Sequence, residues 1–320
     1  MFKVFITESV YNNIMEAEAQ KAEASRSYLY KILNQQPVAR LSSEDTEALR
    51  AHPANVLKNP SSLYILDITP AEALAITKSY GVICLSGELP NVGLLIDVND
   101  DQTVNQYERL GKGWDTVLDS VETLPSNAVI INDRYLFKHD KVEKGNGFDN
   151  VKAILGEVLP KQFSGGDYHV TIIFDNREKY EKYSFNGIAK KLEEVKQELA
   201  RPYPIMMEVL GLAADNDTYY KTHNRRIVSN YFVVKMEHKI AAFNKNKATT
   251  EQSIIPQQLF TVSSLNGKST PPLKSIEQNI RTLRSFSQHI FTLSDHTVYF
   301  YAVNGKRMER CMGIRNRLIK

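Results

Sequence analysis

The residues best suited to chemistry lie in one short run, His223-Asn224-Arg225-Arg226-Ile227-Val228-Ser229-Asn230. His223 and Arg225 are two apart, so on a strand both side chains point to the same face. An imidazole can attack phosphorus while a neighbouring cation neutralises the phosphoryl oxygens. A side-chain amide follows at Asn230. These residue types make the run the candidate centre of any chemistry the chain performs.

The charge distribution points to the same ligand. Residues 218–320 hold 17 Lys and Arg against 5 Asp and Glu, a net of +12, while residues 1–217 hold 23 against 32, a net of −9. The whole-chain net of +3 conceals this asymmetry, which suggests a polyanionic partner for the basic part. The run from Gly305 to Lys320 carries six basic residues and one acidic residue. It reads as a basic tail giving sequence-independent, salt-sensitive affinity for phosphate backbones. Arg226, Lys239, Lys306, Arg307, Arg310, Arg315 and Arg317 are therefore the candidate nucleic-acid contacts. Tyr299, Phe300 and Tyr301 could stack on bases, although their place in an expected strand favours core packing.

Strands and helices must position these groups. Apolar residues make up 42% and charged residues 24%, an ordinary globular mixture that excludes a disordered chain or a disulfide scaffold. Ser62–Asp67 reads as a buried strand, Thr69-Pro70-Ala71-Glu72 as a capping box opening a helix, and 81–86 as a second strand. That is a βαβ unit. A strand at 3–7 and a helix over 16–33 precede it, and 93–97 reads as a further strand. After Pro125 the alternation restarts, with strands at 128–133, 168–174 and 205–210 and helices at 149–159 and 185–199. Residues 225–234 and 237–243 read as a strand pair, 276–290 as a helix and 297–303 as a strand. The expected fold class is α/β with two domains. Residues 1–121 form a small α/β domain and 122–320 an α/β domain with a mainly parallel sheet.

With this order in place, His223, Arg225 and Asn230 resemble the phospholipase D superfamily signature His-x-Lys-x-x-x-x-Asp, with Arg225 in the Lys slot and Asn230 in the Asp slot. Asn132-Asp133-Arg134-Tyr135-Leu136-Phe137 after a strand, and the helix before the His strand, are similar to the branch that includes MIT-associated C-terminal domains and bacterial relatives. The resemblance covers about residues 122–245. It implies a phosphodiester-engaging domain with His223, Arg225 and Asn230 as its candidate catalytic residues, and a role in phage defence or a mobile-element system. Active members pair two motifs from two repeats or two subunits, whereas this chain has one. A nuclease reading therefore requires a homodimer that brings two His223 segments together, working without metal or other cofactor. Glu237-His238 stand where the family places Gly-Ser. With Arg for Lys and Asn for Asp, these departures favour binding over turnover. An anionic membrane surface, or another subunit of a larger complex, is the alternative partner.

Acidic residues recur at strand ends: Glu8, Asp67, Asp97, Asp133 and Asp175. Carboxylates at the edge of a parallel sheet can hold Mg²⁺ for phosphodiester cleavage, though turns also attract Asp for capping alone. Cys84 and Cys311 are far apart and in no metal-ligand spacing. No apolar run reaches the roughly 18 residues of a membrane span. A cytoplasmic location is expected.

Overall fold

A computed structural model of the chain describes residues 2–21, 27–97, 113–122, 124–133, 135–137, 147–175, 185–212, 225–238, 240–244, 247–248, 253–289, 298–305, 307–310 and 314–319. It is an α/β protein. The first part runs β1 (Val4–Thr7), α1 (Glu8–Ala19), α2 (Tyr28–Gln35), β2 (Val38–Leu41), α3 (Ser43–Ala51), β3 (Leu63–Leu66), α4 (Pro70–Tyr80) and β4 (Cys84–Ser86). These strands form a wholly parallel sheet in the order β2-β1-β3-β4. The expected helix over 16–33 is two helices instead, and Ser27 caps the second by accepting from Tyr30 N. The capping box forms as the sequence suggests: Thr69 Oγ1 accepts from Glu72 N, and the Glu72 carboxylate accepts from Thr69 N. β5 (Ile96–Asp97) leaves this sheet and pairs in parallel with residues 260–261, and α5 (Trp114–Glu122) follows.

The second part contains β6 (Ala128–Asn132), α6 (Gly147–Val158), β7 (Tyr168–Asp175), α7 (Phe185–Leu199) and β8 (Ile205–Leu212). β9 (Arg225–Ser229) and β10 (Phe232–Met236) come next, then β11 (Phe243–Asn244), β12 (Lys247–Ala248), β13 (Ile254–Gln258) and β14 (Phe260–Thr261). The short helix α8 (Val262–Leu265), the long helix α9 (Pro272–His289), β15 (Val298–Asn304) and β16 (Arg307–Arg310) complete it. Eight strands join in the order β13-β10-β9-β6-β7-β8-β15-β16. Only β6, β7 and β8 are mutually parallel; every other pairing in this sheet is antiparallel. This corrects the mainly parallel expectation. Helical crossovers α6 and α7 permit parallel neighbours, whereas the two residues joining β9 to β10 leave room only for a hairpin.

The two sheets share one apolar core. Ile6, Leu63, Ile65 and Ile83 of the first belong to the same cluster as Ile130, Ile172, Val233 and Phe260. Position 122, where the sequence suggests a domain boundary, is the last residue of α5. Apolar packing is continuous across it, and β5 and β14 pair across it. Tyr64 and Leu66 alternate with Leu63 and Ile65, so they face away and join a smaller cluster with Val56, Ile68 and Ile76. Among the described residues no helix is long and apolar enough to cross a membrane.

Candidate phosphate-binding site

β6, β7 and β8 all end at one edge of the large sheet, and β9 runs antiparallel to β6. Its first residue, Arg225, therefore starts at that edge. Directly after β6 comes Asp133, whose side chain is fully buried. Its Oδ1 accepts from Tyr135 N at 2.9 Å and its Oδ2 from Ile240 N at 2.7 Å. Arg225 Nε lies 3.6 Å from Oδ1, an ion pair without a hydrogen bond at that nitrogen. Arg225 Nη1 donates to Glu237 O at 3.1 Å, and the guanidinium sits 5.6 Å from the Tyr135 ring centroid. A second buried network fixes the segment beside it. Trp114 Nε1 donates to Asn150 Oδ1 at 2.7 Å, which also accepts from Phe243 N, while Asn150 Nδ2 donates to Phe243 O. Breaking a buried pair strands its partner charge, so Arg225 is a cation already committed to a fixed internal carboxylate.

Asn230 is placed elsewhere. The strand expected over 225–234 turns at residues 230–231, and β10 folds back on β9. Asn230 thus lies five residues along from Arg225, roughly 17 Å at strand rise, at the opposite end of β9. It is 1% exposed. Its Nδ2 donates to Pro60 O at 3.0 Å and Gly81 O at 2.9 Å, and its Oδ1 accepts from Asn127 N at 3.3 Å. Asn127 Nδ2 donates to the same two carbonyls, at 3.0 and 2.9 Å. Beside them the Tyr231 hydroxyl donates to Ser62 O at 2.6 Å and accepts from Ile83 N at 2.9 Å. Gly81 makes the close approach possible: its φ is +60°, and a Cβ there would stand 2.0 Å from Ser126 O. Two amides and a phenol therefore weld the first sheet to the second. Arg225 and Asn230 do not act together, which corrects their reading as parts of one catalytic set. His223 and Asn224 lie outside the described residues.

The basic tail is also corrected in part. Residues 314–319 dock on the face of the large sheet that carries His169, Thr171 and Glu208. Arg315 N and Asn316 N donate to the buried Glu208 carboxylate at 2.8 and 3.0 Å, and Thr171 Oγ1 donates to it at 2.7 Å. Desolvation holds the Glu208 carboxyl above its ordinary range, with these hydrogen bonds opposing the shift. Asn316, with no exposure, donates to Thr171 Oγ1 and Val129 O. Arg317 N donates to His169 Nδ1 at 3.0 Å, and Arg317 Nη2 donates to Asp167 O. Burial disfavours the charged form of Arg317. Leu318 and Ile319 are buried, and Ile319 O accepts from Arg284 Nε. Backbone groups and apolar side chains thus anchor the tail, and Arg317 serves that anchoring. Arg315 and Arg307 remain exposed, and Arg310 lies in edge strand β16. Lys239, Lys306 and the side chain of Arg310 lie outside the described residues, as does Cys311. Tyr299, Phe300 and Tyr301 lie in β15, paired with β8.

Arg226 points to the opposite face of β9 from Arg225. Its Nη1 donates to Ser275 Oγ at 2.9 Å, on the first turn of α9. Its cross-strand neighbour on β10 is Lys235, a residue that the motif and tail readings passed over. The available signal was a single cation inside the apolar run Phe232-Val233-Val234-Lys235-Met236. Asp133 is legible in the sequence as one of several acids at strand ends and as part of the Asn132–Phe137 run. Among the described residues no three His, Cys, Asp or Glu side chains gather into a metal site. Glu8, Asp67 and Asp97 lie at or next to the ends of three different strands, with β5 in a separate sheet from β1 and β3. No family model matches the chain, and no curated protein is significantly similar to it in sequence.

Proposed function

We propose that this chain binds nucleic acid through its basic C-terminal half and holds it rather than cleaving it, as a phospholipase D-like domain with a degenerate motif would. One observation carries this reading. Along β9, Arg225 is committed to Asp133, while among the described residues the adjacent Arg226 side chain has a serine hydroxyl as its one hydrogen-bond partner. The strand retains a cation suited to holding a phosphate, but its motif positions are spread over both ends of the sheet. The excess of basic residues after residue 218 supplies the long-range attraction.

Fluorescence anisotropy of labelled single-stranded DNA, RNA and duplex DNA against the full-length chain tests it. Affinity should be measurable at about 50 mM salt and fall by orders of magnitude toward about 200 mM, with the labelled strand intact. No binding to any of the three at low salt would remove the proposal, and binding to anionic vesicles alone would replace the partner. Metal-independent cleavage that follows dimer concentration and vanishes in His223→Ala would replace holding with turnover.

A further inference from the structure

We infer that the face of the large sheet beneath α9 carries a built site for one phosphoryl group, formed by Arg226, Lys235 and Ser275. The inference deepens the proposed function by naming where a phosphate sits, and it lies on the opposite face of β9 from Arg225.

Register brings the residues together. Lys235 on β10 stands directly opposite Arg226 on β9, and Arg226 stands opposite Asn132 on β6. These three form a polar row. The next row on the same face, Val233, Val228 and Ile130, is buried and apolar. Directly opposed like charges destabilise an antiparallel pair, so this sheet carries a conflict that a bound anion would resolve. Both side chains are half-buried. Desolvation disfavours the charged form of each, and for Lys235 the neighbouring Arg226 adds to the effect.

The nearby acids are turned to other work. A Glu277 oxygen accepts from Phe2 N at 2.9 Å, and a Glu237 oxygen accepts from Ser253 N at 3.3 Å. Among the described residues neither Arg226 nor Lys235 forms an ion pair with a carboxylate. The first turn of α9 reaches Arg226 through Ser275, which brings the positive end of the helix dipole to that guanidinium. Ser275 Oγ accepts a hydrogen bond from Arg226 Nη1, which leaves its own hydroxyl hydrogen to donate to a ligand. A phosphoryl group offers several acceptor oxygens in tetrahedral array, enough to meet a guanidinium, an ammonium and a hydroxyl at once.

Thermal unfolding of the full-length chain with inorganic phosphate, against chloride at matched ionic strength, tests the site, with ³¹P line broadening as the direct readout. The wild type should show a saturable rise in midpoint. Arg226→Gln should weaken the phosphate response at least tenfold. Lys235→Met, which keeps the packing of the aliphatic stem, should weaken it similarly, and Lys235→Arg should retain it. Competition by a short oligonucleotide assigns the site to a nucleic-acid backbone; phosphate binding that the oligonucleotide leaves untouched assigns it to free phosphate or a phosphomonoester. No saturable response in the wild type, or equal responses in wild type, Arg226→Gln and Lys235→Met, would overturn the site. Nucleic acid bound equally by all three proteins would leave the proposed function standing without it. Phosphate binding with no nucleic-acid binding would do the reverse.

Discussion

Arg225 and Asn230 mark the two opposite ends of β9. The guanidinium of one is paired with buried Asp133 at the edge where the parallel strands finish. The amide of the other donates to Pro60 O and Gly81 O at the seam between the sheets. Five residues of sequence spacing became a full strand of distance, and the two positions acquired unrelated tasks. One fixes a charge; the other joins two layers.

That division predicts the result of restoring the family's carboxylate. Asn230→Asp replaces an NH₂ that donates to two carbonyls with an oxygen that repels both. The variant should lose about 3 kcal/mol of stability, the cost of stranding buried polar groups, and gain no phosphodiesterase activity. Denaturant unfolding and a cleavage assay read the two outcomes. Unchanged stability would show that the amide does not join the sheets.

The docked tail gives a second expectation. Deleting residues 314–320 removes the donors to Glu208 and His169 and uncovers apolar sheet surface. The truncated chain should lose at least about 3 kcal/mol, since a buried carboxylate loses two hydrogen bonds. A tail serving only as a mobile phosphate arm would instead leave the unfolding midpoint in place and lower nucleic-acid affinity alone.

Stability should also depend on pH through Glu208. Its carboxyl is held above the ordinary range by desolvation. A group with a raised folded pKa contributes stability that is fully present below its unfolded value, about 4.3, and is lost as pH rises through the folded value. The unfolding free energy of the wild type minus that of Glu208→Gln should therefore shrink as pH rises from about 4 through the folded pKa. Glu72, which Arg50 holds down at about 2, is present in both proteins and drops out of the difference. A pH-independent difference would show that Glu208 has no raised pKa.

Local patterns were enough for much of the fold. The alternation of apolar strands and amphipathic helices specified β6, β7, β8, α6 and α7 because periodicity and helix ends are written in neighbouring residues. The Thr69–Glu72 box was legible for the same reason. The short strand β2 and helix α3 were missed: β2 has only four residues, partly exposed, with no apolar run to announce it.

The sequence by itself determined the α/β class, the parallel centre of the large sheet and the concentration of positive charge after residue 218. Only the tertiary structure decided which cation is already paired, where β9 turns, and that the basic tail is pinned to a buried glutamate. The reason is physical. A strand's turn at Asn230-Tyr231 is stabilised by carbonyls and a backbone N–H some 150 to 170 residues away in sequence. The pairing of Arg226 with Lys235 exists only through strand register. Neither relationship leaves a periodic signal along the chain, because each is a contact between segments rather than a property of one.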